Sequence, residues 1–371
     1  FKGITWLTPR IRREINVMKR GNLLMLSRRR FLFQSTGISL AAMGMTCPVV
    51  IAATTKYSDK EILGQGAFRY RANRHWGELD RNKYPVKNCH GVMEDRDGRI
   101  IMLTNDTRNN LIAYSKEGEL LAAWESRFPG AHGFEITDEN GEDRYWIVDH
   151  ERQVVSKCTS NGRELRRLDS DALKSKYPDL NKYRPTSVAI LPDGNFFVSD
   201  GYGSSFIHHF DPDWRYISSF GGEGDAPENL KQPHAVWVDT RSGKPLLLVC
   251  DRQHEMLKWF SLTGELLRTV VLPGALPSNV ARFHGRFSDH LAIDCLNGMV
   301  LVLDGADRVV SAIGGEAPLY TDGKLQPLSS FNHTFGHPHD VYADRSGALY
   351  VVQWWSNQTY PIKLEPLGDM R

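Results

Sequence analysis

Four histidines in this chain share one local setting. In residues 335–344 (FGHPHDVYAD) a proline and then His339 precede a run of alternating apolar residues. Gln232-Pro233-His234-Ala235-Val236 repeats the arrangement, and Gly130-Ala131-His132-Gly133-Phe134 repeats it with a small residue for the proline. Asn88-Cys89-His90-Gly91-Val92 is a weaker copy. Neutral imidazole is the commonest protein ligand for zinc and related ions. Three imidazoles around an open position can hold a divalent ion that polarises an oxygen or acidifies a bound water. The four residues have no local zinc-motif spacing, so this chemistry depends on the fold to bring them together.

The elements that must do so are short strands. Asp193-Gly194-Asn195 turns into Phe196-Phe197-Val198-Ser199-Asp200. Then come Phe206-Ile207-His208-His209-Phe210, the turn Asp211-Pro212-Asp213, and Tyr216-Ile217-Ser218-Ser219-Phe220. The same order recurs along the chain, four strands to a unit, every roughly 40–50 residues, which is the signature of a β-propeller. Inner strands start at His90, His132, Thr186, His234, near Asn279, and at His339. The expected fold is therefore all-β, a six-bladed β-propeller of four-stranded antiparallel blades occupying residues 54–371. Phe68-Arg69-Tyr70-Arg71 is expected to pair with the C-terminal strands and close the ring, leaving no free edge. Residues 171–183 read as a short inserted helix and 318–334 as a long loop.

Inner-strand starts converge at one mouth of the channel. Asp340 follows His339, and a strand period of two turns it away from the axis toward a neighbouring blade. A carboxylate there suits a hard cation such as calcium. Near the same mouth, Tyr202 offers a phenol as donor or base, and Arg252 offers a planar fork for a carboxylate. Asp149, Asp200 and Asp251 end second strands and read as acceptors for turn amides. His208, His209, His254, His284 and His290 lie off the channel register. Trp354 and Trp355 read as packing between blades. Cys89, Cys158, Cys250 and Cys295 form no CxxC pair, and Cys250 reads as a buried thiol.

The N-terminus stands apart. Ser27-Arg28-Arg29-Arg30-Phe31-Leu32 and the apolar stretch after it resemble a twin-arginine export signal over residues 18–53. Residues 1–17 precede Met18 and read as an upstream artefact or a disordered leader. Cys47 is a poor match to an acylation site. The signal implies passage through the twin-arginine translocase and a periplasmic or extracellular destination. Gln34, Ser35, Thr36, Gly37 and Ser39 interrupt the apolar stretch, so no stable membrane span is expected in the mature form. The net charge of +2 gives no footprint for nucleic acid or an anionic surface.

The run Arg184-Pro185-Thr186-Ser187-Val188-Ala189-Ile190 through Val198-Ser199-Asp200-Gly201-Tyr202 resembles NHL-type propellers. With Gln232-Pro233-His234, Asp251-Arg252 and Pro338-His339-Asp340-Val341 in order, most of residues 85–365 resembles the peptidyl-α-hydroxyglycine α-amidating lyases. The resemblance implies a catalytic zinc on His132, His234 and His339. It also implies a structural calcium on the Asp340 carboxylate and the Val92 and Phe134 carbonyls, with Tyr202 and Arg252 acting on a peptide C-terminal α-hydroxyglycine. The products would be an amide and glyoxylate. This sequence departs from that pattern at four places. The family's second arginine falls on or near Asn105, with Arg108 close but out of register. His337 stands where the family has methionine, and His90 where it has a small residue. The positions of the animal enzymes' cysteine pairs, near Tyr183, Gly203, Leu248 and Trp259, carry no Cys. His90, His337, Asn105 and Arg108 are thus further candidates for the site. On the residues alone two other readings stay open: a non-catalytic propeller that binds protein or glycan, and a zinc-dependent hydrolase at the same site.

Overall fold

Strands dominate because turn residues flank them and strands inside a blade, such as Ile100–Thr104 or Met299–Leu303, carry apolar side chains on both faces. The structure, a computed structural model, describes residues 61–331, 334–354 and 360–370. The export signal, residues 1–17, Cys47 and Trp355 lie outside these. Six antiparallel sheets carry the chain in order. Their inner strands are Cys89–Glu94, Ala131–Glu139, Ser187–Ile190, Pro233–Asp239, Pro277–Arg282 and His337–Ala343. Each inner strand touches the next, and the sixth touches the first, which closes a ring around a channel. The fold is the expected six-bladed β-propeller.

Six separate apolar clusters hold the ring, one at each seam between neighbouring blades. In Ile100–Thr104, Ile101 and Leu103 pack toward blade two, while Ile100 and Met102 pack toward blade six. The two-residue period thus feeds two cores from one strand, and the second strands read as unbroken apolar runs for that reason. Blade six is closed by Tyr70–Asn73, which pairs with Ile362–Pro366, and Ile62–Leu63 adds a fifth strand outside it. This is the closure expected from the sequence.

Some expectations are corrected. The insertion before blade three is two 3-10 turns, Ser170–Leu173 and Leu180–Lys182, rather than one helix. The loop before blade six contains a small hairpin, Tyr320–Thr321 with Lys324–Leu325. Trp354 is 40% exposed instead of packed between blades. The four described cysteines are buried. Among the described residues no helix is long and apolar enough to cross a membrane.

The feature that positions the site is a bulge. The inner-strand ladder slips at His90, at His132 and Gly133, at His234, at Ser278 and at His339. An extra unpaired residue bends the strand and re-aims its side chain. Pro233, Pro277 and Pro338 stand immediately before three of these bulges, where a residue without an N–H costs little.

Candidate active site

His132, His234 and His339 sit on blades two, four and six, and their rings form a nearly equilateral group. Centroids are 4.7 Å apart for His132 and His234, 4.5 Å for His132 and His339, and 4.6 Å for His234 and His339. The intervening blades supply acceptors. His132 Nδ1 lies 2.7 Å from the Thr186 carbonyl, His234 Nδ1 2.8 Å from that of Ser278, and His339 Nδ1 3.4 Å from that of His90. Gly133 permits the first contact, since a Cβ there would stand 2.7 Å from the Thr186 oxygen.

A carbonyl only accepts, so each Nδ1 carries the proton and each Nε2 is bare. Burial first, then neighbouring charged groups, hold all three imidazoles neutral, with pKa values well below the ordinary histidine range. The Nε2 atoms of His132 and His234 are 3.2 Å apart, and His339 Nε2 is buried with no partner. Two bare lone pairs at 3.2 Å cannot satisfy one another. Tetrahedral Zn–N bonds of ~2.0–2.1 Å place neighbouring nitrogens about 3.3 Å apart. These residues therefore fit a divalent ion, and the carbonyl-bonded Nδ1 atoms are the outer partners that such ligands use.

Tyr202 Oη lies 3.0 Å from His132 Nε2 and 3.1 Å from His234 Nε2. It can donate to only one of them. The residue is 37% exposed, so it also faces the mouth. Its loop closes over the channel because Gly201 has no Cβ to meet the Pro233 oxygen at 2.4 Å. Asp200, fully buried, fixes this loop by accepting the N–H groups of Arg184 and Ser204. Asp149 and Asp251 bind turn amides in the same way, as expected. Arg252 is 2% exposed; its Nη2 donates to Ser278 Oγ at 2.8 Å, while its Nε–H has no partner. Burial raises the Tyr202 pKa, and the charge of Arg252 opposes that rise.

The other candidates separate. His90 joins the group, with its ring 5.0 Å from His132 and 4.5 Å from His339. His337 reaches the Leu296 carbonyl at 2.9 Å and lies beside Trp354 on the rim. The Asn105 carboxamide oxygen accepts from the Asn88 N–H. Arg108 is tied to Asp106 and largely solvated. His150, which the sequence reading missed, stands 5.7 Å from the His132 ring and 5.6 Å from Tyr202. Its signal was positional: it follows Asp149 at the end of a second strand, as Arg252 follows Asp251.

Asp340 corrects the period-of-two argument. The bulge at His339 resets the alternation, and Asp340 lines an axial cavity of about 200 Å³ together with Val92, Phe134, Glu135 and Asn279. Its Oδ2 accepts from the Val92 N–H at 2.8 Å, and its Oδ1 from Asn279 Nδ2 at 2.7 Å and the Val341 N–H at 2.8 Å. The carboxylate thus reaches the neighbouring blades, as expected, but borders the axial cavity instead of turning away from it. His284, expected to be off the channel, lines the far mouth of the same cavity. Burial and then Asp294 push the Asp340 pKa well up, and burial raises Glu135 and Asp294 each to about 7. Three crowded carboxyls with one unpartnered oxygen, Asp294 Oδ2, fit a hard cation.

No family model matches the chain. Its sequence relatives include peptidyl-glycine alpha-amidating monooxygenase A of Xenopus laevis, 31% identical over 319 residues, covering 81% of this chain and 31% of that protein. They also include a probable peptidyl-alpha-hydroxyglycine alpha-amidating lyase of Caenorhabditis elegans, 27% identical over 301 residues, covering 80% of this chain and 78% of that protein. The chain spans less than a third of the length of the amidating monooxygenases it matches. Among solved structures, that of streptogramin B lyase aligns with a TM-score of 0.53 at 12% identity, covering 81% of this chain and 99% of that one, a likeness of fold alone. The chain is a six-bladed β-propeller whose distant sequence relatives are amidating lyases and amidating monooxygenases.

Proposed function

We propose that this propeller is a zinc-dependent lyase that cleaves the N–Cα bond of a peptidyl-α-hydroxyglycine. The observation that carries the reading is the close group of the His132, His234 and His339 rings, with centroids 4.5–4.7 Å apart, the Tyr202 phenol within 3.1 Å of two of their Nε2 atoms, and the unpaired Arg252 Nε–H near that phenol. When bound, the ion supplies Lewis acidity toward a hydroxyl oxygen in the channel. His132, His234 and His339 hold it, and the Thr186, Ser278 and His90 carbonyls fix their tautomers. Arg252 holds the substrate carboxylate, and its charge favours the phenolate form of Tyr202. Tyr202 takes the hydroxyl proton, the O–H electron pair becomes the new C=O bond, and the N–Cα pair leaves with nitrogen. The nitrogen then takes the proton from Tyr202, giving a primary amide and glyoxylate.

Asp340, supported by Glu135 and Asp294, would hold a structural calcium deeper in the channel. Residues 27–32 extend the reading to export through the twin-arginine translocase. Purified protein loaded with zinc and given a peptidyl-α-hydroxyglycine should release glyoxylate above the spontaneous rate. No excess glyoxylate from a zinc-replete sample overturns the lyase. Ester hydrolysis in its place would favour the hydrolase.

A further inference from the structure

The channel mouth follows an alternation that one residue breaks. On blades two, four and six a histidine points inward, and blades three, five and one supply the carbonyl that binds its Nδ1. Thr186 and Ser278 keep to that supporting part. His90 does more: its carbonyl receives His339 Nδ1, and its side chain is an imidazole only 4% exposed. His90 Nδ1 has no partner, so the nitrogen that the other three spend on a carbonyl is free in this one. One ring nitrogen from each of His90, His132 and His339 lies within 4.8 Å of the others. The His90 and His339 rings stand at 89° to one another, edge toward face.

A buried imidazole nitrogen left without a partner carries an uncompensated desolvation cost. Here two are left, His90 Nδ1 and His339 Nε2, in a group whose other free nitrogens are also acceptors. No hydrogen bond in the structure relieves either nitrogen, whereas one cation can satisfy both. We infer that His90 supplies a fourth imidazole nitrogen to the metal centre. The inference rests on the metal reading above and extends it, because a tetrahedral zinc shell with four protein donors has no open position. His90 is then the donor with which an incoming hydroxyl oxygen competes, and the blade-one histidine sets how readily the centre opens.

Co(II) binding tests this without substrate. The metal-free full-length protein, His90→Ala and His90→Gln are titrated with Co(II), with His339→Ala for reference and circular dichroism as a check on folding. Wild type should bind one ion. An outer-shell partner costs roughly 10–100-fold in affinity, so loss of a direct donor should weaken binding by about 100-fold or more. The visible Co(II) band should change in both His90 variants, and X-ray absorption should count one imidazole fewer. Should Ala fail to fold, Gln decides. Unchanged affinity and an unchanged band in a folded His90 variant place His90 outside the shell and overturn the inference, while the three-histidine reading survives. Absence of Co(II) binding by wild type overturns both.

Discussion

The two ends of the channel use one backbone device for opposite chemistries. At the mouth, bulged residues present bare imidazole nitrogens whose second nitrogens are bound to carbonyls. One residue further along the sixth inner strand, Asp340 presents carboxylate oxygens to backbone N–H groups and an asparagine amide. The first environment keeps its groups neutral and suits a borderline metal; the second crowds oxygens and suits a hard one. The bulge at His339 thus turns adjacent residues in sequence toward two settings that suit different ions.

The largest predicted effect falls at the nitrogen end. His234→Ala should lose its zinc and lower glyoxylate formation by about 10³-fold or more, corresponding to several kcal/mol of lost charge stabilisation. Full zinc content in that variant would break the distinction between the two ends. Next comes Tyr202→Phe, which should keep its metal yet lose about 10²–10⁴-fold in kcat, the usual worth of a proton-transfer group. An unaffected kcat would remove Tyr202 from the chemistry.

Asp340→Asn probes the oxygen end. Calcium at 100 times its Kd should stabilise wild type by about 2.7 kcal/mol, read as a rise in Tm. The variant should lose that response while its zinc content stays the same. Zinc lost along with the calcium response would mean that the ends act as one unit.

The last test leaves the metal chemistry aside and uses a histidine outside both ends. His208 is buried in blade three between Tyr177 and Ser219, and burial lowers its pKa to about 3. The native state keeps it neutral while the unfolded chain protonates near pH 6.5. Stability is therefore full above that pH and falls as pH drops toward 3, by roughly 1.4 kcal/mol per unit. In His208→Gln the acid limb of an unfolding-versus-pH curve should flatten by up to that amount. An identical limb would show that His208 already titrates normally in the fold.

Blade number, ring closure and the channel register of the histidines were legible because they follow from local turns and a fixed repeat. The bulges were not. A two-residue alternation extrapolated through His339 sends Asp340 away from the axis, and only the ladder pairing reveals the slip. Arg108 looked available because its neighbour in sequence, Asp106, gave no sign of folding back to bind it. His150 was missed because a histidine after Asp149 reads like any turn residue until Tyr202 is seen across from it. The six seams, by contrast, were implicit in apolar runs such as Leu246–Asp251.

The closure of blade six sets an order of assembly. Its strand Tyr70–Asn73 is synthesised before every inner strand, and the strand it pairs with, Ile362–Pro366, is the last of the described strands. His339 belongs to that final blade, so a nascent chain carries His132 and His234 long before the third member exists. Ring completion and assembly of the proposed ligand set are thereby the same late event. A chain truncated before the sixth blade would be left with two exposed seams and an incomplete ligand set, giving a quality-control protease and a metal chelator the same molecule to recognise.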